Sequence, residues 1–313
     1  MPPEKTKSLV EAAMLAALTV ILLLPTIYLP ILGMITLFIW PVPITLLGVR
    51  HGLRTSVLAM LTAGLIVSIL THPVTAVSLL LWLGFLGLAL GVCFRRHWSP
   101  LQTLGVGTIT VLLSTLLLFL LSFFLLGVNP FSEGQLLMAE SGAQVLEFYK
   151  GLGMAPEQLE QMQAQYQQVV EIFRYLLPAT LLLGSVTTTF INFSVARAVL
   201  GKLGQKVPGF PPFHTWLFPR NLLWGYLVGI LFVLAGNYYG QDLFLEIGMN
   251  IQVIFNLILI LAGLSVVHHL LRRYRLPTAL IVVATVLVLF NPLFSSLLSF
   301  LGIIDIVFNL RKL

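Results

Sequence analysis

Residues 101–126, LQTLGVGTITVLLSTLLLFLLSFFLL, decide the fold class of this chain, because they run for 26 positions without a single Asp, Glu, Lys or Arg. A helix needs about 20 apolar residues to cross the roughly 30 Å hydrocarbon core of a bilayer. Closed β-barrels are the other structure that spans membranes, but their strands alternate apolar and polar residues, and this stretch does not. The sequence therefore predicts a transmembrane helix here.

Outward from this stretch, similar apolar runs fill most of the 313 residues. Hydrophobic residues make up 58% of the chain and charged residues only 9%, and the mean hydropathy is +1.00. Soluble domains carry roughly 25% charged residues, so we predict an all-α, polytopic integral membrane protein with about 9–10 transmembrane helices. The expected spans are 8–24, 32–50, 54–71, 74–94, 101–126, 173–200, 221–237, 249–271, 277–291 and, as a tenth crossing or a re-entrant piece, 293–310.

The basic residues predict the orientation of these helices. With the N-terminus inside, all but Lys150 and Arg174 of the 17 basic residues fall on the inner side. Short loops rich in Lys and Arg resist translocation across the membrane. We therefore expect a multi-pass protein of the cell (plasma) membrane with both termini in the cytoplasm. The net charge of +6 has the same explanation, and we predict no nucleic-acid partner.

Residues 127–172 form a long polar stretch that divides the chain. We predict an N-terminal five-span region at 1–126, an extracytoplasmic amphipathic helical segment at 127–172, and a C-terminal membrane region of about four to five spans at 173–313. Pro156 followed by Glu157 predicts a helix start, because proline suits the first turn and acids suit the positive end of the helix dipole. The segment is either a spacer or a gating lid.

Ionisable groups inside spans are functional candidates by default, but the predicted spans hold very few of them. Asp305 lies six residues before Arg311 and is expected to pair with it or with another interfacial cation. The lone Cys93 excludes an intramolecular disulfide. His268 and His269 are adjacent rather than four residues apart, as helical metal ligands are. We therefore predict no enzyme activity, no catalytic residue, no metal site and no cofactor.

Uncharged polar side chains inside the spans have two interpretations. In lipid they usually form hydrogen bonds between helices, but they can also line a solute pathway. Trp40 precedes Pro41, and Pro41 and Pro43 predict a break in the helix; the break either lines a cavity or is packed solid. On the solute-pathway interpretation, the substrate-binding residues are Trp40, Asn192 and Asn256.

The first span carries two interleaved pairs of small residues, Ala12/Ala16 and Ala13/Ala17, and such faces mark close helix contacts. They belong to the stretch EAAMLAAL at 11–18, which is followed by a proline-broken loop and by LLGVRHG at 46–52. This order is similar to the substrate-binding (S) components of energy-coupling-factor (ECF) vitamin transporters. The resemblance implies that the alanine face docks on a transmembrane coupling subunit and that a vitamin-like solute is bound from the outer side.

The whole chain resembles the YybS-like bacterial membrane proteins, a family related to those S components. In the C-terminal half, the resemblance is carried by FPPFHTWLFP at 210–219 and GIID at 302–305. The loop 208–220 is either an interfacial anchor, as aromatic residues at membrane surfaces are, or a docking surface for a cytoplasmic partner, with Trp216 as a docking residue. The chain departs from the S components by its outer segment and its additional spans, and it carries no vitamin-specific binding motif.

Two functions from different classes follow from these observations. The first is S-component-like binding and uptake of a small, vitamin-like solute, with the lipid bilayer and an ECF-type coupling subunit as partners. The alternative is a non-transporting membrane scaffold that recruits partner proteins through its cytoplasmic loops. A polar cavity that opens outward near Trp40 and Asn192 would favour the first, and a solid apolar interior would favour the second.

Overall fold

The computed structural model describes residues 3–273, 285 and 291–311, and the regular structure in those ranges is helical throughout. A π-helical stretch at Leu80–Gly84 joins α5 to α6, and a short 3-10 turn at Phe213–Thr215 precedes α11. In chain order the α-helices are α1 (Pro3–Tyr28), α2 (Pro30–Thr36), α3 (Val42–His51), α4 (Leu53–Leu70), α5 (Pro73–Leu79), α6 (Phe85–Arg95), α7 (Pro100–Leu126), α8 (Pro130–Gly151), α9 (Pro156–Tyr175), α10 (Leu177–Lys202), α11 (Asn221–Tyr239), α12 (Asp242–Arg273) and α13 (Pro292–Phe308).

Several of these helices are long and apolar enough to cross a membrane, and α13 is a shorter apolar helix. The prediction of an all-α, multi-pass membrane protein is therefore confirmed. The predicted crossing at 277–291 lies outside the described residues, except for positions 285 and 291. Within the described part of the chain, the seven membrane-length stretches are Ser8–Tyr28, Leu53–Leu70, Pro73–Arg95, Pro100–Leu125, Leu177–Lys202, Asn221–Tyr239 and Asp242–Arg272.

Residues 32–50, expected as one span, form the two short helices α2 and α3. The chain breaks at residues 37–41, next to the prolines that predicted a break: Pro41 immediately precedes α3, and Pro43 lies in its first turn. Proline lacks a backbone N–H, and it is accepted in the first turn of a helix but not in its interior. The span expected at 173–200 also differs, since α9 ends at Tyr175 and α10 begins at Leu177.

The chain forms two compact units that interleave along the sequence. The first unit comprises Met1–Ala143 and Leu181–Gly209, and the second comprises Gln144–Thr180 and Phe210–Leu313. The predicted segments 1–126, 127–172 and 173–313 were defined by membrane crossings rather than by packing, and they remain predictions. Most of α10 belongs to the first unit together with α1 to α7.

Close backbone contacts hold α3 and α6 together in the first unit. A β-carbon built at Gly48 would lie 2.9 Å from the Cα of Gly91, and the Thr45 hydroxyl donates a 3.0 Å hydrogen bond to the Gly87 carbonyl oxygen. Small residues allow helices in membranes to approach to this distance. Gly48 and Gly91 therefore let the backbones of α3 and α6 come into direct contact. Beside it lies an apolar core cluster of Ala16, Ile44, Leu47, Ala59 and Met60.

The second unit contains an equally close contact, between α12 and α13. A β-carbon at Gly263 would collide with the carbonyl oxygen of Leu298, and one at Gly302 would collide with that of Leu259. Because the atoms that would be hit belong to backbone, no side-chain rotation can make room. Glycine is therefore required at both positions for α12 and α13 to pack as they do.

The polar stretch 127–172 forms α8 and α9, and both helices are largely exposed. α9 begins at Pro156, as predicted, and has no buried residue. In α8 the buried position is Gly142. The two helices are joined by a turn in which Gly153 has a φ of +83°, a conformation that favours glycine. Whether these two helices form a spacer or a lid remains a prediction.

Candidate functional site

The structure brings two of the three predicted substrate-binding residues into the first unit. Trp40 is 0% exposed and Asn192 is 1% exposed, so the polar cavity that solute binding was expected to show beside these residues is not open in the described conformation. Asn256 belongs to the second unit, where its Oδ1 accepts a 2.8 Å hydrogen bond from the Ser299 hydroxyl. Asn256 thus links α12 to α13, which is the packing role that polar residues commonly have in lipid.

Trp40 is held by the break between α2 and α3. Its backbone N–H donates a 2.9 Å hydrogen bond to the Thr36 carbonyl oxygen, which closes the turn. Its ring lies against the π-helical stretch: a β-carbon at Gly84 would be 3.6 Å from Cη2 of Trp40. Within the described residues, however, the indole Nε1 of Trp40 has no hydrogen-bond acceptor.

Three further buried polar atoms of the first unit lack a partner in the same way. They are the hydroxyls of Thr108 on α7 and Thr189 on α10, and Oδ1 of Asn192 on α10. The amide nitrogen of Asn192 is satisfied, because it donates a 3.0 Å bond to the Thr188 carbonyl oxygen. We refer to Trp40, Thr108, Thr189 and Asn192 as the polar quartet.

Contacts between helices connect the members of the polar quartet. A β-carbon at Gly107, the neighbour of Thr108, would collide with Cγ2 of Thr189 and would lie 3.2 Å from Cδ1 of Leu86. Leu86 is in turn two residues beyond Gly84, against which Trp40 rests. Asn192 follows Thr189 by three residues on α10, and positions three apart share a helix face. Thr189 and Asn192 therefore share one face of α10, and the packing of Gly107 against Thr189 and Leu86 leads from that face towards Gly84 and Trp40.

Unpartnered polar atoms in such a place are costly. A buried donor or acceptor without a partner costs about 1–3 kcal/mol, and the hydrocarbon core offers no water to replace a missing partner. The four atoms include both donors and acceptors, and none of them pairs with another in the described structure. The indole N–H of Trp40 only donates, Oδ1 of Asn192 only accepts, and the two threonine hydroxyls can do either.

A pocket of about 470 Å³ lies in the first unit between α5, α7 and the start of α8. Its wall is almost wholly apolar, with Ser78 and Ser122 as the hydroxyl-bearing side chains among the lining residues. In the predicted orientation it opens on the outer side, because α5 begins there and α7 ends there. The pocket is lined by Pro73, Val74, Val77, Ser78, Leu118, Phe119, Leu121, Ser122, Leu125 and Pro130.

One face of α7 runs from this pocket to the polar quartet. Leu118 lines the pocket, and Ser114, Val111 and Gly107 follow it at intervals of three or four residues and are buried. Such spacing keeps side chains on one helix face. On the other wall of the pocket, the π-helical stretch Leu80–Gly84 follows the lining residues of α5. Its last residue, Gly84, contacts Trp40. Single π turns inside helices are frequent at functional sites.

The alanine face of α1 is divided between two environments. Ala16 is 4% exposed and belongs to the core cluster of the first unit, and Ala12 packs against that cluster. Ala13 and Ala17 are exposed. The pair available for docking on another subunit is therefore Ala13/Ala17, and docking itself remains a prediction.

The two motifs that carry the resemblance to S components contact each other. Glu11, at the start of EAAMLAAL, forms an ion pair with Arg50 and a 2.7 Å contact between its Oε2 and Nε2 of His51, both from LLGVRHG. The sequence alone did not reveal these partners of Glu11. The contact ties α1 to the end of α3.

In the second unit, Arg311 and Asp305 are paired as expected, and the guanidinium of Arg311 also organises the loop that contains Trp216. Nη2 of Arg311 donates to the Trp216 carbonyl oxygen at 2.8 Å, and Nη1 donates to the hydroxyl of Ser265 at 2.7 Å and to the His214 carbonyl oxygen at 3.1 Å. We call these residues, with Asp305, the C-terminal clamp. Ser265 was missed from the sequence, where it is one hydroxyl in an apolar run.

Trp216 is half-buried within its own loop. Its indole N–H donates a 2.9 Å bond to the Pro211 carbonyl oxygen, and its ring packs against Phe210, Phe213 and Phe218. The aromatic side chains of the loop thus contact one another to a large extent. Both the anchor and the docking interpretation of Trp216 remain predictions.

His268 and His269 point to different neighbours, as adjacent positions on a helix must. The ring of His268 packs edge-on against Phe213, at 5.2 Å between ring centroids, whereas His269 approaches His214 at 6.4 Å. Burial, followed by the nearby charge of Arg272, lowers the pKa of His214 below its usual value. This corner of the second unit is therefore unfavourable to a further positive charge.

Comparison with known proteins is consistent with a membrane protein along the whole chain. Residues 17–306 match the family model described as "Predicted membrane protein (DUF2232)". The chain is also 27% identical over 309 residues to "Uncharacterized protein YybS" of Bacillus subtilis (strain 168), and the match covers 99% of each chain. No solved structure matches significantly.

Proposed function

The chain belongs to the DUF2232 family of membrane proteins, and we propose that it binds a small, largely apolar solute in its first unit and takes part in the uptake of that solute. The observation that carries this proposal is the pocket between α5 and α7. Its volume of about 470 Å³ falls in the range of small-molecule sites, which are mostly apolar with a few polar groups.

The resemblance to S components supports the same function. Glu11 links the two motifs that carry this resemblance, and Ala13/Ala17 remain exposed on α1. In this proposal, the exposed alanines dock on a membrane-embedded coupling subunit, since small residues allow close approach between helices. Solute capture then occurs in the first unit, and the coupling subunit supplies the energy for release.

The proposal is tested by filling the pocket. Val77→Trp places a bulky ring among the lining residues, whereas Leu113→Trp places the same ring on an exposed position of α7 that does not line the pocket. The full-length protein and both variants are purified in the same detergent, and the small molecules that they release on denaturation are compared by mass spectrometry. We expect wild type and Leu113→Trp to release a species that Val77→Trp lacks.

Two results would count against this function. One is release of the same species in equal amount by Val77→Trp, which would show that the molecule binds elsewhere. The other is a wild-type protein that releases nothing beyond bulk lipid. Circular dichroism and gel filtration of the variants ensure that a loss of the species reflects the filled pocket and not misfolding.

A further inference from the structure

We infer that the polar quartet recognises an uncharged head group of the solute, one that presents a hydrogen-bond acceptor and a donor next to each other. This inference rests on the proposed function, and it adds the chemical class of the ligand. Carboxamides and hydroxylated or carbonyl-bearing ring systems belong to this class. Carboxylates, phosphates and ammonium groups do not.

The first argument is the unsatisfied chemistry of the quartet. Among the described residues, the indole N–H of Trp40, Oδ1 of Asn192 and the hydroxyls of Thr108 and Thr189 are buried and have no hydrogen-bond partner. A buried polar group normally has a partner, and an unpartnered one calls for an explanation. A head group with an acceptor for the indole N–H and a donor for the asparagine oxygen would supply both missing partners.

The second argument is the absence of charge around the quartet. The segments that carry and surround it contain no Asp, Glu, Lys or Arg: residues 12–49, 55–94, 100–126 and 175–196. An ion placed at this depth would have no counter-charge, and unpaired charges in the membrane interior are strongly disfavoured. The quartet is therefore suited to a neutral ligand.

The third argument is position. From Ser78 in the pocket to Gly84 beside Trp40 there are six residues, or roughly 9 Å along the helix at 1.5 Å per residue. A molecule whose apolar body occupies the pocket can thus extend its head to the level of the quartet. The ligand that fits both regions is a neutral amphipathic molecule.

The described conformation is closed around the quartet, so binding requires a movement. Trp40 is placed to make it, because it lies in the break between α2 and α3 and not within a helix. Its ring lies against Gly84, and the thioether of Met60 lies 2.8 Å from the position of a β-carbon at the same glycine. Methionine adapts readily to changes in packing. Displacement of the indole would open the quartet toward the pocket.

The class of ligand is tested with probes that differ only in their head group. Decanamide, decanoate and decylamine are added separately to full-length protein in nanodiscs, and the shift in the melting temperature is measured against probe concentration. We expect decanamide to bind at least tenfold more tightly than the two charged probes. Equal stabilisation by all three would overturn the inference.

The residues are tested with isosteric variants. Thr189→Val and Thr108→Val each remove a hydroxyl while keeping the shape of the side chain, and each should weaken decanamide binding about tenfold, as the loss of one hydrogen bond implies. Because the removed groups are unpartnered in the closed state, both variants should melt at the same temperature as the ligand-free wild type or higher. Unchanged binding together with a lower melting temperature would assign the quartet a purely structural role.

The outcome separates this inference from the proposed function. If Val77→Trp abolishes binding of decanamide and the quartet variants do not, the pocket binds solute but the quartet does not select its head. If neither set of variants affects binding, both ideas fail. A charged species released by the wild-type protein would overturn the inference and leave the proposed function intact.

Discussion

Arg311 and Asp305 form a buried ion pair in which Nη2 lies 2.7 Å from Oδ2, and only 1% and 3% of the two side chains are exposed. The pair does not stand alone, because the same guanidinium binds the carbonyl oxygens of His214 and Trp216. One side chain thus connects the end of α13, the loop before α11 and, through Ser265, the helix α12.

The ion pair predicts a large loss of stability when one partner is removed. Arg311→Met leaves the Asp305 carboxylate buried without a counter-charge, and such a change typically costs about 3–5 kcal/mol. The double variant Arg311→Met with Asp305→Leu should recover part of this loss. The melting temperature of the purified protein measures both effects, with Lys150→Met on the exposed α8 as the control. Equal melting temperatures for Arg311→Met and wild type would contradict the importance of the clamp.

The glycine contact between α12 and α13 predicts a strong position dependence of Gly→Ala substitutions. Gly263→Ala should destabilise the protein by about 1–3 kcal/mol or more, because its β-carbon meets backbone that cannot rotate away. Gly184→Ala on α10 is the matched control, since nothing lies within 4 Å of its β-carbon position. Alanine is favoured over glycine in a helix by roughly 0.5–1 kcal/mol, so the control should be neutral or slightly stabilising. Thermal denaturation of the two variants distinguishes these results.

The divided alanine face predicts different effects for neighbouring positions. Ala13→Leu with Ala17→Leu should leave the fold intact, because both side chains are exposed, and should abolish co-purification of a partner subunit. Ala16→Leu should instead destabilise the first unit, since it inserts three carbons into the core cluster. Pull-downs from membranes, together with gel filtration, measure the two effects. Unchanged recovery of a partner with the double variant would exclude docking through this face.

The charge distribution predicts which residues can be reached from each side of the membrane. The native Cys93 is buried, so cysteines introduced at Lys150 and Lys206 can be followed separately. A membrane-impermeant maleimide should label Lys150→Cys in intact cells and Lys206→Cys only after lysis. The reverse pattern would invert the predicted orientation.

The environment of His214 predicts that acid weakens the second unit. Its pKa is lowered in the folded protein, so the unfolded state binds the proton more readily, and stability falls as the pH decreases through and below the usual histidine value of about 6.5. His214→Gln should flatten this dependence. Melting temperatures between about pH 7.5 and 5.5 provide the test, and identical slopes for the variant and wild type would argue against a role for His214.

Much of the fold could be predicted because hydrophobicity and turn chemistry act locally. The span predicted at 101–126 is found as Pro100–Leu126, with a capping box formed by Ser99 and Gln102 at one end and a left-handed Gly127 at the other. Similarly, Pro41 and Pro43 indicated the break at 37–41. In each case, residues close in sequence determine where the helix ends.

What the sequence could not provide are the contacts between distant segments. The Asp305–Arg311 pair was expected, since the two are six residues apart, but Ser265 and the carbonyl of Trp216 come from positions far along the chain. Asn192 was singled out as polar, whereas Thr108 was not, because one hydroxyl in an apolar helix gives no sign of which neighbour it faces. Likewise, α10 packs in the first unit through the contact between Gly107 and Thr189, two residues far apart in the sequence.

The π-helical stretch Leu80–Gly84 also determines where this chain can change in length. A π turn holds about one residue more than an α turn, and each residue rotates an α-helix by about 100°. Deleting one residue within the stretch would let it close as an ordinary helix, with Gly87 and Gly91 still facing α3. A deletion inside α6 itself would instead turn those glycines away from Gly48. Insertions and deletions among relatives are therefore expected to fall in this single turn.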